Sequence, residues 1–287
     1  MERKSRGMRY NKNEYYEGEK FMWKWEADGH AKAVIVIVHS AYEHHRRYAW
    51  LIEKFRVAGF HVITGDLPGH GEESKVKSAH DEYLKQYEKY IKLMIYEATQ
   101  YNLPLFILGH GLGATLAMYA VGEFKYEIAG AILTSPWLHL QHQPSKFAAA
   151  LKGFSKIAGS FKMHHEMNTK LLSRSYEFYT EMGRDPYYNS NVTIRWYHDV
   201  QQFMKAIYQL ENHFKDIPVL MMNGKSDKII DIQYNRQWLE KQKLSEYAYK
   251  EWANCYHDLF QEPERDLIYQ YTEDFILNRL RTIGYIV

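Results

Sequence analysis

The sequence predicts an α/β protein built on a doubly wound, mostly parallel sheet that is interrupted by an inserted helical segment. Apolar runs rich in β-branched residues alternate with helical patterns through the first half of the chain. The alternation stops after residue 135 and resumes at about residue 217. A chain of 287 residues is long enough to form one such domain with an insertion.

The first half reads as strand, strand, helix, strand, helix, strand, helix, strand. The continuous apolar run Ala33–Val38 is typical of a strand buried on both faces of a parallel sheet. The helical spacing that begins at Arg47 ends at Gly59, a natural C-terminal cap. The predicted elements cover residues 21–27, 33–38, 47–58, 60–64, 81–100, 105–108, 112–121 and 129–133.

The segment 136–216 shows no clear strand and is too long for a loop in a compact domain, so we expect a helical cap there. The sheet pattern then returns as strand, helix, strand, helix over residues 218–222, 232–243, 247–252 and 263–280. The predicted organisation is a polar N-terminal extension (1–20), a first part of the core (21–135), the cap (136–216) and a second part of the core (217–287).

Composition narrows the function classes. The net charge of +2 gives no indication of nucleic-acid binding, and no apolar run approaches the length of a membrane span. A single cysteine excludes an internal disulfide, and the polar start of the chain does not read as a signal peptide, so we expect a cytoplasmic protein. An aromatic content of 16% indicates a large aromatic core or an aromatic-lined pocket. Oligomeric state is not indicated.

A glycine-rich turn follows the strand at residues 105–108. The sequence Gly109-His110-Gly111-Leu112-Gly113 leads from this strand into an Ala-rich helix. That frame is typical of a nucleophile elbow, a sharp strand-to-helix turn with serine at its middle position. Here the middle residue is Gly111, so the hydroxyl is absent. Taken alone, the pattern fits the glycine turn of a Rossmann-like unit equally well.

Two downstream residues favour the elbow. Asp227 follows a predicted buried strand directly, and His257 follows the last strand. Nucleophile, acid and histidine occur in that chain order in hydrolases with an elbow, and a buried Asp that orients a neutral His makes a general base. Asp231 is a weaker candidate for the acid because it falls at the start of the next predicted helix.

Together these motifs resemble the monoglyceride lipase and lysophospholipase branch of the α/β-hydrolase superfamily, over nearly the whole chain after Phe21. The residues that carry the resemblance are Val38-His39-Ser40-Ala41-Tyr42-Glu43-His44 with Arg47-Tyr48, Gly65-Asp66-Leu67-Pro68-Gly69-His70-Gly71, the elbow, Asp227, and His257 with Glu262-Pro263-Glu264-Arg265. The resemblance implies a capped α/β-hydrolase fold, Asp227 and His257 as triad acid and base, and the backbone N–H groups of Ala41 and Leu112 as the oxyanion hole.

The chain departs from that family pattern at two positions. The family has serine where this chain has Gly111, and glycine where it has Ser40. The resemblance therefore implies a relative of monoacylglycerol and lysophospholipid ester hydrolases whose hydrolytic activity is absent or strongly impaired with glycine at residue 111. The alternative is a natural pseudoenzyme that binds a lipid-like ligand or a protein partner through the cap pocket. Ser40 and Cys255 are weak candidates for a replacement nucleophile.

We expect the protein to use no cofactor and no metal. Its expected substrate or ligand is a small lipid-like ester, and peripheral contact with a membrane is an open alternative. The run Met163-His164-His165-Glu166-Met167 is expected to be a solvated cap face, because adjacent histidines on a helix point about 100° apart. We expect Glu43 and His44 to form a network under the oxyanion loop, and His70 and His110 to support the site from behind. The candidates for an acyl-chain channel, which could equally pack the cap on the sheet, are Phe147, Phe154, Phe161, Met163 and Met167.

Overall fold

The computed structural model describes residues 22–141, 159–165 and 167–285. The α/β-hydrolase fold that the sequence predicts is confirmed: a seven-stranded sheet, parallel except for its first strand, lies between helices. The sheet strands are β1 (Met22–Trp25), β2 (Ala33–Val38), β3 (Phe60–Gly65), β4 (Leu105–His110), β5 (Gly130–Thr134), β8 (Val219–Gly224) and β9 (Tyr247–Trp252). Their order is β1-β3-β2-β4-β5-β8-β9, and β1 pairs antiparallel with β3.

Eight α-helices lie in the described part of the chain. Their bounds are α1 (Ala49–Val57), α2 (Glu72–Val76), α3 (Leu84–Thr99), α4 (Leu112–Glu123), α5 (Tyr176–Met182), α6 (Ile194–Gln209), α7 (Ile232–Lys241) and α8 (Arg265–Thr282). Short 3₁₀ turns cover His45–Tyr48, Thr169–Leu171 and Leu259–Gln261. The helix expected from Arg47 therefore begins as a 3₁₀ turn and becomes α-helical at Ala49.

The alternating faces of the strands fill two cores. Val34, Val36 and Val38 of β2 face the core under α3, α4 and the residues that follow β5. Ile35 and Ile37 of the same strand face the opposite core, which α1 and α8 close. A strand buried on both faces needs apolar side chains at every position, which is why β2 reads as an uninterrupted apolar run.

The expectation that segment 136–216 contains no strand is wrong. Lys162–His164 (β6) and Asn191–Thr193 (β7) pair antiparallel in a two-stranded sheet, and Val192 also bridges to His80 outside the segment. Three-residue strands are too short to show periodicity, and pairing fixes them instead. The remaining elements described in this segment are helical. Phe147 and Phe154 lie outside the described residues.

No helix in the described ranges combines the length and apolarity needed to cross a bilayer.

The first turn of α4 packs directly against the end of β2. A Cβ at Gly113 would lie 2.3 Å from the carbonyl oxygens of Val38 and His39, far inside van der Waals contact. The glycine therefore allows helix and strand to approach closely enough for residues at their ends to touch.

Gly113→Ala should lower the free energy of unfolding by about 2 kcal/mol or more, because backbone must move to admit the methyl group. Gly183→Ala is the matched control, since it lies at an exposed helix end with no atom closer than 3.4 Å to the added Cβ. Urea unfolding of both variants gives the comparison. Equal stability of the two would contradict the tight contact between α4 and β2.

Candidate active site

Gly111 joins β4 to α4 in a strained turn. Its backbone has φ 53° and ψ −121°, a region that is costly for residues with a side chain. The Gly111 N–H donates to the Thr134 carbonyl at 3.0 Å. The Gly111 carbonyl accepts from the backbone N–H of Trp137 at 3.2 Å. The turn thus has the geometry that an elbow requires while carrying no side chain of its own.

Ser40, at the end of β2, fills the space above this turn. A Cβ built on Gly111 would lie 2.1 Å from Ser40 Oγ and 2.8 Å from Ser40 Cβ. The backbone N–H of Leu112 donates to Ser40 Oγ at 3.1 Å. One of the two N–H groups expected to form the oxyanion hole is therefore satisfied by a side chain of the protein itself.

Asp227 and His257 lie in contact at the same edge of the sheet. His257 Nδ1 donates to Asp227 Oδ2 at 2.7 Å, and both side chains are buried. Asp227 Oδ1 accepts from the N–H groups of Ile229 and Ile230 at 2.8 and 3.1 Å, which fixes the carboxylate. Asp231, the weaker candidate, caps α7 through the Gln233 N–H. The arrangement can orient a neutral imidazole with its Nε2 lone pair directed away from the acid.

That lone pair is already engaged. The indole N–H of Trp137 donates to His257 Nε2 at 3.0 Å, where a general base would receive the proton of a nucleophile. Trp137 is almost fully buried, and its Nε1 lies 3.1 Å from the position of a Cβ at Gly111. No sequence motif points to Trp137; its one signal is its position soon after the end of β5, at the same edge of the sheet.

Glu43 supports the oxyanion loop from below, as expected. Glu43 Oε1 accepts from the Ser40 backbone N–H at 2.6 Å and from the Tyr48 hydroxyl at 2.7 Å. Arg47 pairs with Glu43 at 3.4 Å and with Asp258 at 3.0 Å. His44 lies farther out, where its Nε2 contacts Asp185 at 2.8 Å.

His110 extends this network to the side of His257. Its Nε2 contacts Asp258 at 2.8 Å, and its ring lies 5.0 Å from that of His257. Burial opposes the charged form of His110, but the Asp258 carboxylate outweighs burial and raises its pKa. Burial also opposes charge on Asp258, yet His110 and then Arg47 hold its pKa well below the usual range. The histidine expected behind the site is therefore part of a buried ion pair.

Two further histidines, His39 and His70, lie between the end of β2 and the loop that follows β3. His39 Nε2 accepts from the Leu67 N–H at 2.8 Å, so Nδ1 carries the proton and donates to the Ser40 carbonyl at 2.6 Å. Burial lowers the pKa of His39, which agrees with this neutral form. The ring of His70 lies 5.3 Å from that of His39. These contacts tie the end of β2 to the loop after β3.

A small cavity of about 10 Å³, room for roughly one water molecule, adjoins these groups. Its walls include Ser40, Ala41, Trp137, Met167, Leu172 and His257. Met167 is the one member of the proposed channel set found on this wall among the described residues, since Met163 lies on β6 and Phe161 is 65% exposed. The lining combines polar groups with apolar side chains.

Cys255 does not reach the site as a nucleophile. Its thiol contacts Glu264 at 3.6 Å, and burial together with Glu264 raises its pKa to about 12. Cys255, Glu262 and Glu264 form the only grouping with metal-ligand spacing in the described chain. Arg174 binds both carboxylates, so a cation already occupies this cluster. The protonated thiol is a poor nucleophile.

The expectation that residues 163–167 form a solvated helical face of the cap is wrong for His165, which is buried. His164 ends the strand β6 rather than lying on a helix, and it contacts the Ser190 hydroxyl at 3.0 Å. His165 is buried, with Nδ1 2.6 Å from the Tyr42 hydroxyl. Glu166 lies outside the described residues. The two imidazoles therefore contact different partners, Ser190 and Tyr42.

His110→Gln should lower the free energy of unfolding by about 3 kcal/mol at pH 6, because Asp258 loses a buried cationic partner. The pKa of His110 is raised on folding, so its contribution is complete below the unfolded value near 6.5 and is lost as the pH rises through the folded value. The difference from wild type should therefore shrink by pH 9. Urea unfolding across this range measures it.

The exposed His30→Gln serves as the control and should differ little from wild type at either pH. A penalty for His110→Gln that stays constant from pH 6 to pH 9 would show that the cationic form of His110 adds nothing to stability.

Comparison with known proteins agrees with the observed fold. The family model described as serine aminopeptidase, S33 matches residues 29–264. Phospholipase YtpA of Bacillus subtilis is 34% identical over 256 residues, 88% of this chain and 98% of the relative. The monoacylglycerol lipase of Paleococcus ferrophilus superposes with a TM-score of 0.79 at 24% identity, covering 91% of this chain and 99% of its own.

Monoglyceride lipase from Saccharomyces cerevisiae, solved as a soluble variant with a substrate analogue, superposes with a TM-score of 0.84 at 20% identity and covers 96% of this chain and 97% of its own. Likeness at this level of identity supports the fold, while the family model and the Bacillus relative support kinship. The chain belongs to the serine aminopeptidase S33 family of α/β-hydrolases, on the branch that resembles monoglyceride lipases.

Proposed function

We propose that this chain is a non-hydrolysing member of its family that binds a monoacyl lipid ester, or a ligand of that shape, at the site lined by Ser40, Trp137 and His257. The observation that carries the proposal is the bond from the Trp137 indole N–H to His257 Nε2 at 3.0 Å. It occupies the atom that would accept a proton during ester hydrolysis.

Hydrolysis by the mechanism of the family needs four parts. A hydroxyl at residue 111 attacks the ester carbonyl, His257 takes its proton, Asp227 orients His257, and N–H groups of Ala41 and Leu112 stabilise the oxyanion. Gly111 supplies no hydroxyl, so no acyl-enzyme forms there. Loss of a triad member lowers turnover by about 10⁶-fold, or roughly 8 kcal/mol of transition-state stabilisation.

The ligand class follows from the relatives and the cavity wall. Phospholipase and monoglyceride lipase relatives act on lipids, as their names state. In this chain, Met167 and Leu172 provide an apolar wall beside polar groups. The cavity of about 10 Å³ is far smaller than the roughly 300–1,000 Å³ of ligand pockets, so a lipid enters only when the side chains that line the cavity move apart. A cytoplasmic location and peripheral membrane contact stay predictions.

Partial retention of activity is the competing function. It requires a nucleophile other than residue 111, and Ser40 is the candidate because its hydroxyl adjoins the elbow. The Leu112 N–H holds that hydroxyl while Trp137 holds the base. These contacts favour binding over turnover.

The purified full chain should form no adduct with a fluorophosphonate probe and should not release fatty acid from a monoacylglycerol, whereas an active monoglyceride lipase does both. Intact-mass spectrometry and fatty-acid release measure the two outcomes. An adduct on Ser40, or turnover within about 100-fold of the active control, would overturn the proposal.

Binding is measured separately, through unfolding in the presence of a monoacylglycerol and of its non-hydrolysable 1-O-alkyl ether. Both should raise the free energy of unfolding, by about 2.7 kcal/mol at 100 times the dissociation constant. Leu172→Trp, which fills the cavity wall, should abolish this gain, while Leu267→Trp at an exposed position should not. No gain with either lipid would remove the binding function.

A further inference from the structure

We propose that Ser40 and Gly111 form one interlocked pair: the Ser40 hydroxyl occupies the place of a side chain at the elbow, so the two positions accept a single hydroxymethyl group between them. The inference deepens the proposed function, on which its catalytic part rests. It makes Ser40 the residue that keeps a nucleophile out of this site.

The first support is steric. Ser40 Oγ lies 2.1 Å and Ser40 Cβ 2.8 Å from the position of a Cβ at Gly111. Both distances are shorter than real Cβ atoms show. Ser40 is 5% exposed and follows β2 by two residues, and its backbone carbonyl and N–H are held by His39 and Glu43.

The second support is the hydrogen bonding of the turn. Buried N–H groups need partners, and the first N–H of α4 belongs to Leu112, which is fully buried. Ser40 Oγ satisfies it at 3.1 Å. A serine at residue 111 would have to compete with Ser40 for this volume, and a bound ester oxygen would have to compete with Ser40 for this donor.

The third support is that residues 40 and 111 together carry the same side-chain volume in both arrangements. The resemblance on which the site was predicted has glycine at residue 40 and serine at residue 111, and this chain has the reverse. The pair contains one hydroxymethyl group in either arrangement. A single change toward the family pattern at residue 111 therefore overfills the site, whereas the double change restores both its volume and a free Leu112 N–H.

The experiment is a cycle of wild type, Ser40→Gly, Gly111→Ser and the double variant, followed by thermal unfolding and fluorophosphonate labelling. Gly111→Ser alone should lower the Tm by about 3–6 °C, and Ser40→Gly should restore much of that loss in the double variant. Gly111→Ala in the same two backgrounds is the control. It should show the same coupling in Tm without labelling, because it adds Cβ but no hydroxyl.

The rate of fluorophosphonate labelling measures whether a serine at residue 111 can react once Ser40 has been replaced by glycine. In the double variant, the residue 111 oxygen forms a bond to phosphorus, fluoride leaves, and the hydroxyl proton passes to His257. Labelling should be at least about 100-fold faster than in Gly111→Ser alone, the effect of regaining one oxyanion donor. The rates are measured with Trp137 intact and as Trp137→Phe, so that the indole bond to His257 is not mistaken for a block at residue 40.

The outcomes separate this inference from the proposed function. Additive Tm changes, or equal labelling of the single and double variants, would overturn the interlocked pair. Absence of labelling in the double variant in both Trp137 backgrounds would overturn the assignment of Ser40 as the block. Turnover by the wild type would overturn the proposed function while leaving the Tm coupling as a separate result.

Discussion

The contact between the end of β2 and the first turn of α4 determines the rest of the site. Gly113 lets the helix approach the carbonyl oxygens of Val38 and His39, and this approach brings residue 40 against residue 111. Because interiors are close-packed, two backbones held at this distance leave room for one small side chain between them. The fold therefore couples two positions that lie far apart in the chain, and the chemistry of the site depends on which of them carries the hydroxyl.

Hydrogen-bond satisfaction explains how the site remains ordered without a nucleophile. Gly111 has no side chain to pair with His257 Nε2 or with the Leu112 N–H, and a buried polar group left unpaired costs about 1–3 kcal/mol. Trp137 donates to the first, and Ser40 accepts from the second. Both contacts lie beside Gly111. The site is closed by specific contacts rather than merely lacking one group.

The sheet was predictable because its signals are local. Ala33–Val38 matches β2 residue for residue, since a strand buried on both faces must be apolar throughout. The pairing of Asp227 with His257 was also accessible, because both follow strands that end at one edge of the sheet. The short strands β6 and β7 were not, as their pairing is fixed by contacts between distant segments. The Trp137 bond to His257 joins residues 120 positions apart, and a lone tryptophan carries no local sign of it.

Asp227 and His257 form a hydrogen-bonded chain in which each side chain has its partners. Asp227 is held by three hydrogen bonds, and His257 is held by Asp227 on one side and Trp137 on the other. Such a fully satisfied chain rigidifies the cavity floor and helps to specify a single structure. An ester carbonyl entering the site would have to displace the Ser40 hydroxyl to reach the Leu112 N–H, so the carbonyl gains little from binding there. Under the proposed function, a ligand is therefore selected by its shape and apolar surface rather than by its ester group, and Asp227 and His257 serve as structural residues.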